Sequence, residues 1–279
     1  MRQINDHRPV RHAGRIALLA CAMSMFVATA PAIELTPHRA IYELSLASIR
    51  GAGNIVDAGG AVSLEWSESC DGWTVDQRFR LALSFEGRDE VETLITFSSF
   101  EDKAGRSYRF NSKTTRNGRI TDRFRGVVER PGADVASVAK YSEPRSTEVR
   151  LPAGTLFPMH HTRRLLEAAV AGEPRFDAGF FEGPRPEDSP FTANALILSG
   201  PFAAEDGAAG AYGEPIDRPW WRMRLAFFTQ GGNDLEPDFE LGIDLQDDGI
   251  ALDLVFDYPE FSLSGTLIVA ERLDRPDCP

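Results

Sequence analysis

Histidine is the side chain most often used for acid–base catalysis and for binding transition metals, and this sequence has few of them. Beyond residue 32 it has three: His38, His160 and His161. The adjacent pair falls in a predicted helix, where neighbouring side chains point about 100° apart, so both rings cannot chelate one metal ion. The sequence also lacks a Gly-x-Ser-x-Gly turn, the usual position of a hydrolase serine. We therefore predict a protein that is not an enzyme, with no metal site and no cofactor.

Carboxylates are concentrated between residues 234 and 248, which raises the question of a calcium site or an acid/base pair. A calcium loop starting at Asp244 would have Gln246 at its third position and Val255 at its twelfth, where a bidentate glutamate is required. Three further acidic residues alternate along one predicted strand: Glu236, Asp238 and Glu240. Alternation places them on one outer face rather than in the facing arrangement of a glycosidase. We interpret this segment as solvated surface.

Basic residues are concentrated in the middle of the chain. Residues 71–150 contain 15 Lys+Arg against 13 Asp+Glu, whereas residues 171–279 contain 7 against 22. The whole chain is acidic, with 30 basic and 42 acidic residues, which argues against a nucleic-acid partner. Three arginines fall on one face of one predicted strand: Arg119, Arg123 and Arg125. This is either the solvated side of the strand or a binding face for an anionic envelope component such as a lipid headgroup.

The first 32 residues have the pattern of an export signal. Several arginines precede an apolar run over residues 16–30, and Ala30-Pro31-Ala32 supplies the small residues that a signal peptidase recognises, so we predict cleavage after Ala32. Acylation at Cys21 is the alternative, but the apolar stretch before that cysteine is too short. No later stretch reaches the ~20 apolar residues needed to cross a bilayer. We expect a periplasmic protein whose mature chain has no transmembrane segment.

Removal of the leader leaves two cysteines, Cys70 and Cys278. An even pair in an oxidising compartment is a candidate disulfide, and two free thiols are the alternative. The bridge would close a loop of about 200 residues, for which chain entropy gives an upper figure of roughly 5 kcal/mol. No repeat or linker divides residues 33–279, which we expect to form a single domain.

Most of the mature chain alternates apolar and polar residues with a period of two, which is typical of half-buried strands. The clearest case is Trp73–Phe85, and Asn117-Gly118 is the dipeptide that a type I′ hairpin prefers. We predict about a dozen or more strands, at residues 40–48, 60–67, 73–85, 91–100, 106–115, 119–129, 147–151, 176–182, 193–199, 221–229, 238–245, 250–257 and 261–272.

One segment has the signals of a helix. It begins at Pro158, which suits the first helical turn, continues to Val170 and stops at Gly172. Its apolar stripe consists of Met159, Leu166, Ala169 and Val170. One helix beside so many antiparallel strands predicts a mainly β fold in which a long sheet curls around that helix. Residues 200–219, rich in Ala, Gly and Pro, are predicted to form a long loop.

The start of the mature chain carries the most specific motif in the sequence, built around Pro37, His38, Arg39 and Tyr42. The segment from Leu35 to Leu46 closely resembles the opening of the alphaproteobacterial cell-envelope integrity protein B (EipB) family. The resemblance extends over essentially all of residues 33–279. Other matching segments are Cys70–Val75, Leu156–Pro158, Pro237–Glu240, Gly249-Ile250 and Asp257–Phe261.

The resemblance implies a periplasmic protein without established enzymatic activity. It also implies an antiparallel sheet wound into a β-spiral or broken barrel, and a disulfide between an early strand and the C-terminus, at positions matched by Cys70 and Cys278. The sequence departs from the family after Pro158, where His160-His161-Thr162 stands in place of a threonine, an acidic residue and a single histidine.

Three functions follow as hypotheses. The leading one is a non-catalytic factor that maintains envelope integrity by binding an envelope protein, lipid or glycan along its curved sheet. The second is a lipid or lipoprotein carrier, whose apolar half-barrel cavity would shield acyl chains. The third, an unrecognised hydrolase, is disfavoured because the sequence shows no nucleophile with its base and orienting group.

Overall fold

The computed structural model describes residues 33–50, 54–183, 185–187, 190–203, 218–230 and 236–278. The predicted leader, residues 1–32, lies outside the described residues. So does most of the predicted loop at 200–219, although residues 200–202 belong to a strand. The strands are β1 (His38–Ile49), β2 (Ile55–Glu68), β3 (Gly72–Phe85), β4 (Arg88–Asp102), β5 (Ser107–Arg116), β6 (Arg119–Glu129), β7 (Ser137–Glu143), β8 (Thr147–Leu151), β9 (Arg175–Phe180), β10 (Phe191–Phe202), β11 (Trp220–Thr229), β12 (Phe239–Gln246), β13 (Ala251–Asp257) and β14 (Phe261–Arg272). The helix, α1, is Pro158–Val170.

All fourteen strands form one antiparallel sheet in the order β8-β7-β6-β5-β4-β3-β2-β1-β14-β13-β12-β11-β10-β9. The first and last strands pair in the middle of the sheet, and the chain crosses from one edge to the other between β8 and β9. Helix α1 lies in that crossing. The sheet is not closed into a barrel, because its two edge strands, β8 and β9, do not pair with each other in the part of the chain that the structure describes.

The segment before α1 covers part of one sheet edge. The Leu156 amide donates to the Gly179 carbonyl (2.8 Å), and the Phe181 amide donates to the Leu156 carbonyl (3.0 Å). These bonds satisfy backbone groups that an uncovered edge strand would leave unpaired. The segment thus extends the β9 edge by a short stretch and brings α1 against β9.

The predicted mainly β fold with one helix is confirmed, and α1 has the predicted bounds. The turn at Asn117-Gly118 has φ values of 48° and 75°, as a type I′ hairpin requires. Strand β7 was not predicted. Its inward residues include Ala139, which gives little apolar contrast, so the alternation is weak in the sequence.

The inward face of the sheet is filled by α1. Leu166 has no exposed surface and belongs to one core cluster with Met159, Phe79 and Leu81. A second cluster, around Tyr108 and seven other buried residues, fills the space beneath β5–β8. Met159, Leu166 and Ala169 of the predicted apolar stripe are buried, and Val170 is partly buried against the same cluster.

A disulfide joins Cys70 to Cys278, with Cα atoms 5.6 Å apart and a sequence separation of 208. Cys70 follows β2 and Cys278 ends the C-terminal tail. Arg275 holds the same tail by donating to the Leu35 carbonyl (2.8 Å). The predicted bridge is therefore present, and it fixes the tail beside the central strands.

Candidate functional site

A cavity of about 240 Å³ lies between the inward face of the sheet and the start of α1. Its walls are mainly apolar and come from both halves of the sheet and from the helix: Val75, Leu165, Leu225, Leu241, Leu245 and Leu254. A few polar groups also line it: His38, Gln77, Ser99, His161 and Glu182. Apolar walls with a few polar groups are typical of ligand sites, but this volume is below the ~300 Å³ at which such sites usually begin.

Burial shifts the pKa values of several ionisable groups of the cavity, among them Tyr42, whose pKa it raises, and His161 and Glu182. The His161 ring lies against Phe176 and Phe180, and its Nε2 atom has no hydrogen-bond partner in the described part of the chain. Burial lowers the pKa of His161 to about 4, so the ring is neutral at physiological pH. Burial raises the pKa of Glu182 to about 7. The cavity can therefore offer a neutral imidazole and a carboxyl group that is partly protonated at neutral pH.

The start of α1 is capped by a side chain from another element. Phe157 at the N-cap makes no side-chain cap bond. Instead, the carboxylate of Glu101 on β4 accepts from the amides of Met159 (2.8 Å) and His160 (3.0 Å), and it also contacts the His160 ring. Glu101 is only 2% exposed. A buried carboxylate at the positive end of a helix fixes the helix against the sheet and positions the cavity wall.

The motif residues of β1 lie where the first strand meets the last. Tyr42 points inward and donates to the Ala251 carbonyl (2.9 Å), and Nδ1 of the buried His38 donates to the Thr36 carbonyl (2.8 Å). The Pro37 carbonyl accepts a hydrogen bond from the Leu273 amide (2.8 Å). These contacts tie the start of β1 to the C-terminal strands.

Arg39 of the same motif points to the outer face. It forms salt bridges with Glu65 on β2 (2.8 Å) and Glu271 on β14 (3.0 Å), the residues directly opposite it. One arginine thus links the two neighbours of β1. The motif therefore joins the first strand to the last in the middle of the sheet, and two of its members, His38 and Tyr42, also line the cavity.

The outer face of β3–β7 forms a groove of about 730 Å³ with an aromatic and cationic lining, in which the Arg109 guanidinium lies 5.7 Å from the Phe100 ring centre. Lys140 and the predicted binding residue Arg125 line the same groove. Arg125 also lies 3.7 Å from Glu143. This groove is open to solvent and large enough for an extended ligand.

The three arginines predicted to share a face are exposed, but the strand register separates them. Arg123 lies opposite Lys113 and Arg125 opposite Asn111, whereas a bulge before the turn places Arg119 opposite Arg116. The alternation of β6 changes at that bulge. The prediction of one shared face is therefore wrong for Arg119. This residue lies beside the turn, on the opposite face of the hairpin from Arg123 and Arg125.

Glu101 and Glu182 were missed by sequence reasoning. Glu101 gives a signal in retrospect, because it continues the inward series of Phe97 and Ser99 on β4, where a carboxylate needs a buried donor. Glu182 follows β9 without such a pattern, and only the folded chain shows that it lines the cavity.

Among the described residues, no group of three or more His, Cys, Asp or Glu side chains could hold a metal ion. In the same part of the chain, the His38 ring is hydrogen-bonded to a carbonyl and the His160 ring to a carboxylate, and no serine or threonine hydroxyl is hydrogen-bonded to a histidine ring.

None of the described helices has the length and apolar content of a membrane-spanning helix.

The open sheet wound around one buried helix defines a β-barrel-like protein with a small apolar cavity and a cationic outer face. The chain belongs to the EipB-like family, whose profile matches residues 29–274. It is 27% identical over 270 residues to the cell envelope integrity protein EipB of Brucella abortus (strain 2308), which covers 93% of this chain and 95% of the relative. The crystal structure of a beta-barrel-like protein of domain of unknown function DUF1849 from Brucella abortus is similar, with a TM-score of 0.79 and 27% identity over 87% of this chain and 100% of that chain.

Proposed function

We propose that this protein is a non-catalytic periplasmic factor that maintains cell-envelope integrity by binding an envelope protein or another envelope molecule at its outer surface. The observation that carries the proposal is the small free volume inside the sheet: Leu166 of α1 is fully enclosed, and the cavity beside the helix measures only about 240 Å³. The outer face and the rims therefore offer most of the surface for binding. The name of the Brucella relative supports the envelope role.

The test is a deletion strain complemented with the wild-type gene or with variants. Wild-type protein should restore resistance to detergent and to cell-wall antibiotics. A variant that reverses the charges of Arg109 and Lys140 in the outer groove should fold but restore less resistance than the wild-type protein. His161→Phe, which alters the cavity, should restore it fully. Full complementation by the groove variant would contradict binding at this surface.

We also propose that the leader is cleaved after Ala32 and that residues 33–279 act as a single domain. The Cys70–Cys278 disulfide supports export, because such bonds persist in oxidising compartments. Intact-mass measurement of the protein from its own cells should give an N-terminal Ile33 without an acyl group. A diacylglyceryl group on Cys21 would contradict this.

A carrier of lipid or lipoprotein is the second candidate, and the apolar cavity favours it. Its volume of about 240 Å³ would need to grow for a long acyl chain. Native mass spectrometry of protein purified from its own periplasm separates the two functions. A retained lipid would favour the carrier, and a retained protein would favour the envelope-binding factor.

A further inference from the structure

The hairpin of β5 and β6 places cations opposite cations. Arg116 lies directly opposite Arg119, and Lys113 lies directly opposite Arg123. None of these four residues forms a salt bridge in the described part of the chain. Like charges directly opposite one another destabilise a strand pair, so this arrangement lowers the stability of the hairpin.

A fifth cation extends this charge across the sheet. Lys113 lies opposite Thr96 on β4, and Thr96 lies opposite Arg78 on β3. Arg78 is exposed and also has no salt bridge to a described residue. Neighbouring strands lie about 4.8 Å apart, so the row Arg78, Lys113 and Arg123 spans roughly 14 Å of the outer face.

The tip of the hairpin extends past its neighbour. Pairing of β6 with β7 begins at Arg125, so residues 119–124 have no partner on that side. Ile120 lies in this segment and is 51% exposed. The hairpin tip, residues 113–123, thus combines an exposed apolar side chain with four cations, and its single acidic residue is Asp122.

An exposed apolar side chain on a hairpin tip that carries four cations is a combination suited to an interface between lipid headgroups and acyl chains. We propose that the hairpin tip docks this protein onto a membrane surface of anionic phospholipids. This proposal rests on the proposed function, because it names an envelope molecule that the outer surface would bind.

The test is sedimentation of the mature protein with vesicles of phosphatidylglycerol and phosphatidylethanolamine, compared with vesicles of phosphatidylcholine alone. Wild-type protein should bind the anionic vesicles and lose binding at high salt. Each of Arg119→Gln and Arg123→Gln should lower the partition coefficient about fivefold, since one cation near such a surface contributes about 1 kcal/mol. Ile120→Ser should lower it roughly fivefold as well.

Arg150→Gln with Arg175→Gln is the matched control, because both arginines are exposed and have no salt bridge to a described residue. This double variant should bind like the wild type. Absence of binding to anionic vesicles, equal binding to phosphatidylcholine, or equal losses in control and hairpin variants would overturn the inference. Failure of the proposed function is seen separately, as failure of the wild-type gene to restore envelope resistance in the deletion strain.

Discussion

The paired strands β5–β6 and β11–β12 lie in opposite halves of the sheet and arrange their charges in opposite ways. On β11, Arg222 lies directly opposite Asp244 of β12 and donates to both of its carboxylate oxygens, at 2.8 and 2.7 Å. Arg224 binds Glu240 and also the buried Asp257 of β13 (2.7 Å). On β5 and β6, Lys113 faces Arg123 instead. The β11–β12 pair neutralises these two arginines, whereas the facing cations of β5–β6 form no salt bridge in the described part of the chain.

The difference separates stability from binding. An opposite-charge pair across two strands contributes about 0.2–1 kcal/mol, and a like-charge pair costs a similar amount. The β5–β6 hairpin therefore gives up stability that β11–β12 gains from the same type of position. The interior and the C-terminal strands are expected to hold the fold, and the hairpin tip is expected to meet a partner.

The largest effect should come from the interior. Leu166→Ala should lower the free energy of unfolding by about 2–5 kcal/mol, because it leaves a cavity beside α1. Leu166→Asp should abolish soluble expression, since it buries an unpaired carboxylate. Ile120→Ala at the hairpin tip is the control and should change stability by about 0.5 kcal/mol at most. Urea unfolding measures both, and equal effects at the two sites would break the comparison.

The disulfide should contribute the next largest effect. Replacing Cys70 and Cys278 together by serine should lower stability by about 2–4 kcal/mol and the melting midpoint by several degrees. Wild-type protein treated with a reductant should melt where the double variant does. An unchanged midpoint would show that Arg275 and the strand pairing hold the tail without the bond.

Glu101→Ala should cost about 1–3 kcal/mol, because the amides of Met159 and His160 would lose their buried acceptor. Glu101→Gln should cost less, since its amide oxygen still accepts. Glu129→Ala, at an exposed glutamate on β6, is the control and should be nearly neutral. Thermal unfolding of the three variants tests whether β4 fixes the helix.

The cavity should make stability depend on pH in two opposite ways. Glu182 has a pKa of about 7 in the folded protein against an ordinary 4.5. Between pH 4.5 and 7 the folded state therefore binds more protons than the unfolded state, and stability falls as the pH rises from 4.5 to 7. His161 has a folded pKa of about 4 against an ordinary 6.5, so stability falls as pH drops from 6.5 to 4. Glu182→Gln should flatten the first slope and His161→Phe the second. Unchanged slopes of unfolding free energy against pH would contradict the assignment.

The sequence predicted the features that depend on local pattern. Alternation gave thirteen of the strands, and Pro158 with Gly172 gave both ends of the helix. Long-range contacts had no such signal: Glu101 and Met159 lie 58 positions apart, and their hydrogen bond depends on how the sheet curls. The position of Arg119 failed for a different reason, since one bulge reverses strand alternation and leaves no clear trace in the sequence.

The smallest effects give the sharpest test of the comparison, because the same substitution should have opposite signs in the two regions. Arg123→Glu faces Lys113 with an opposite charge and should raise stability by about 0.2–1 kcal/mol. Arg224→Glu sets a third acid beside Glu240 and Asp257 and should lower stability by at least about 1 kcal/mol. Both changes in the free energy of unfolding should become smaller at high salt, where exposed charges are screened. Urea unfolding at two salt concentrations measures them. If Arg123→Glu destabilises the protein, the cations of β5–β6 serve the fold after all, and their like-charge pairing no longer argues for a partner.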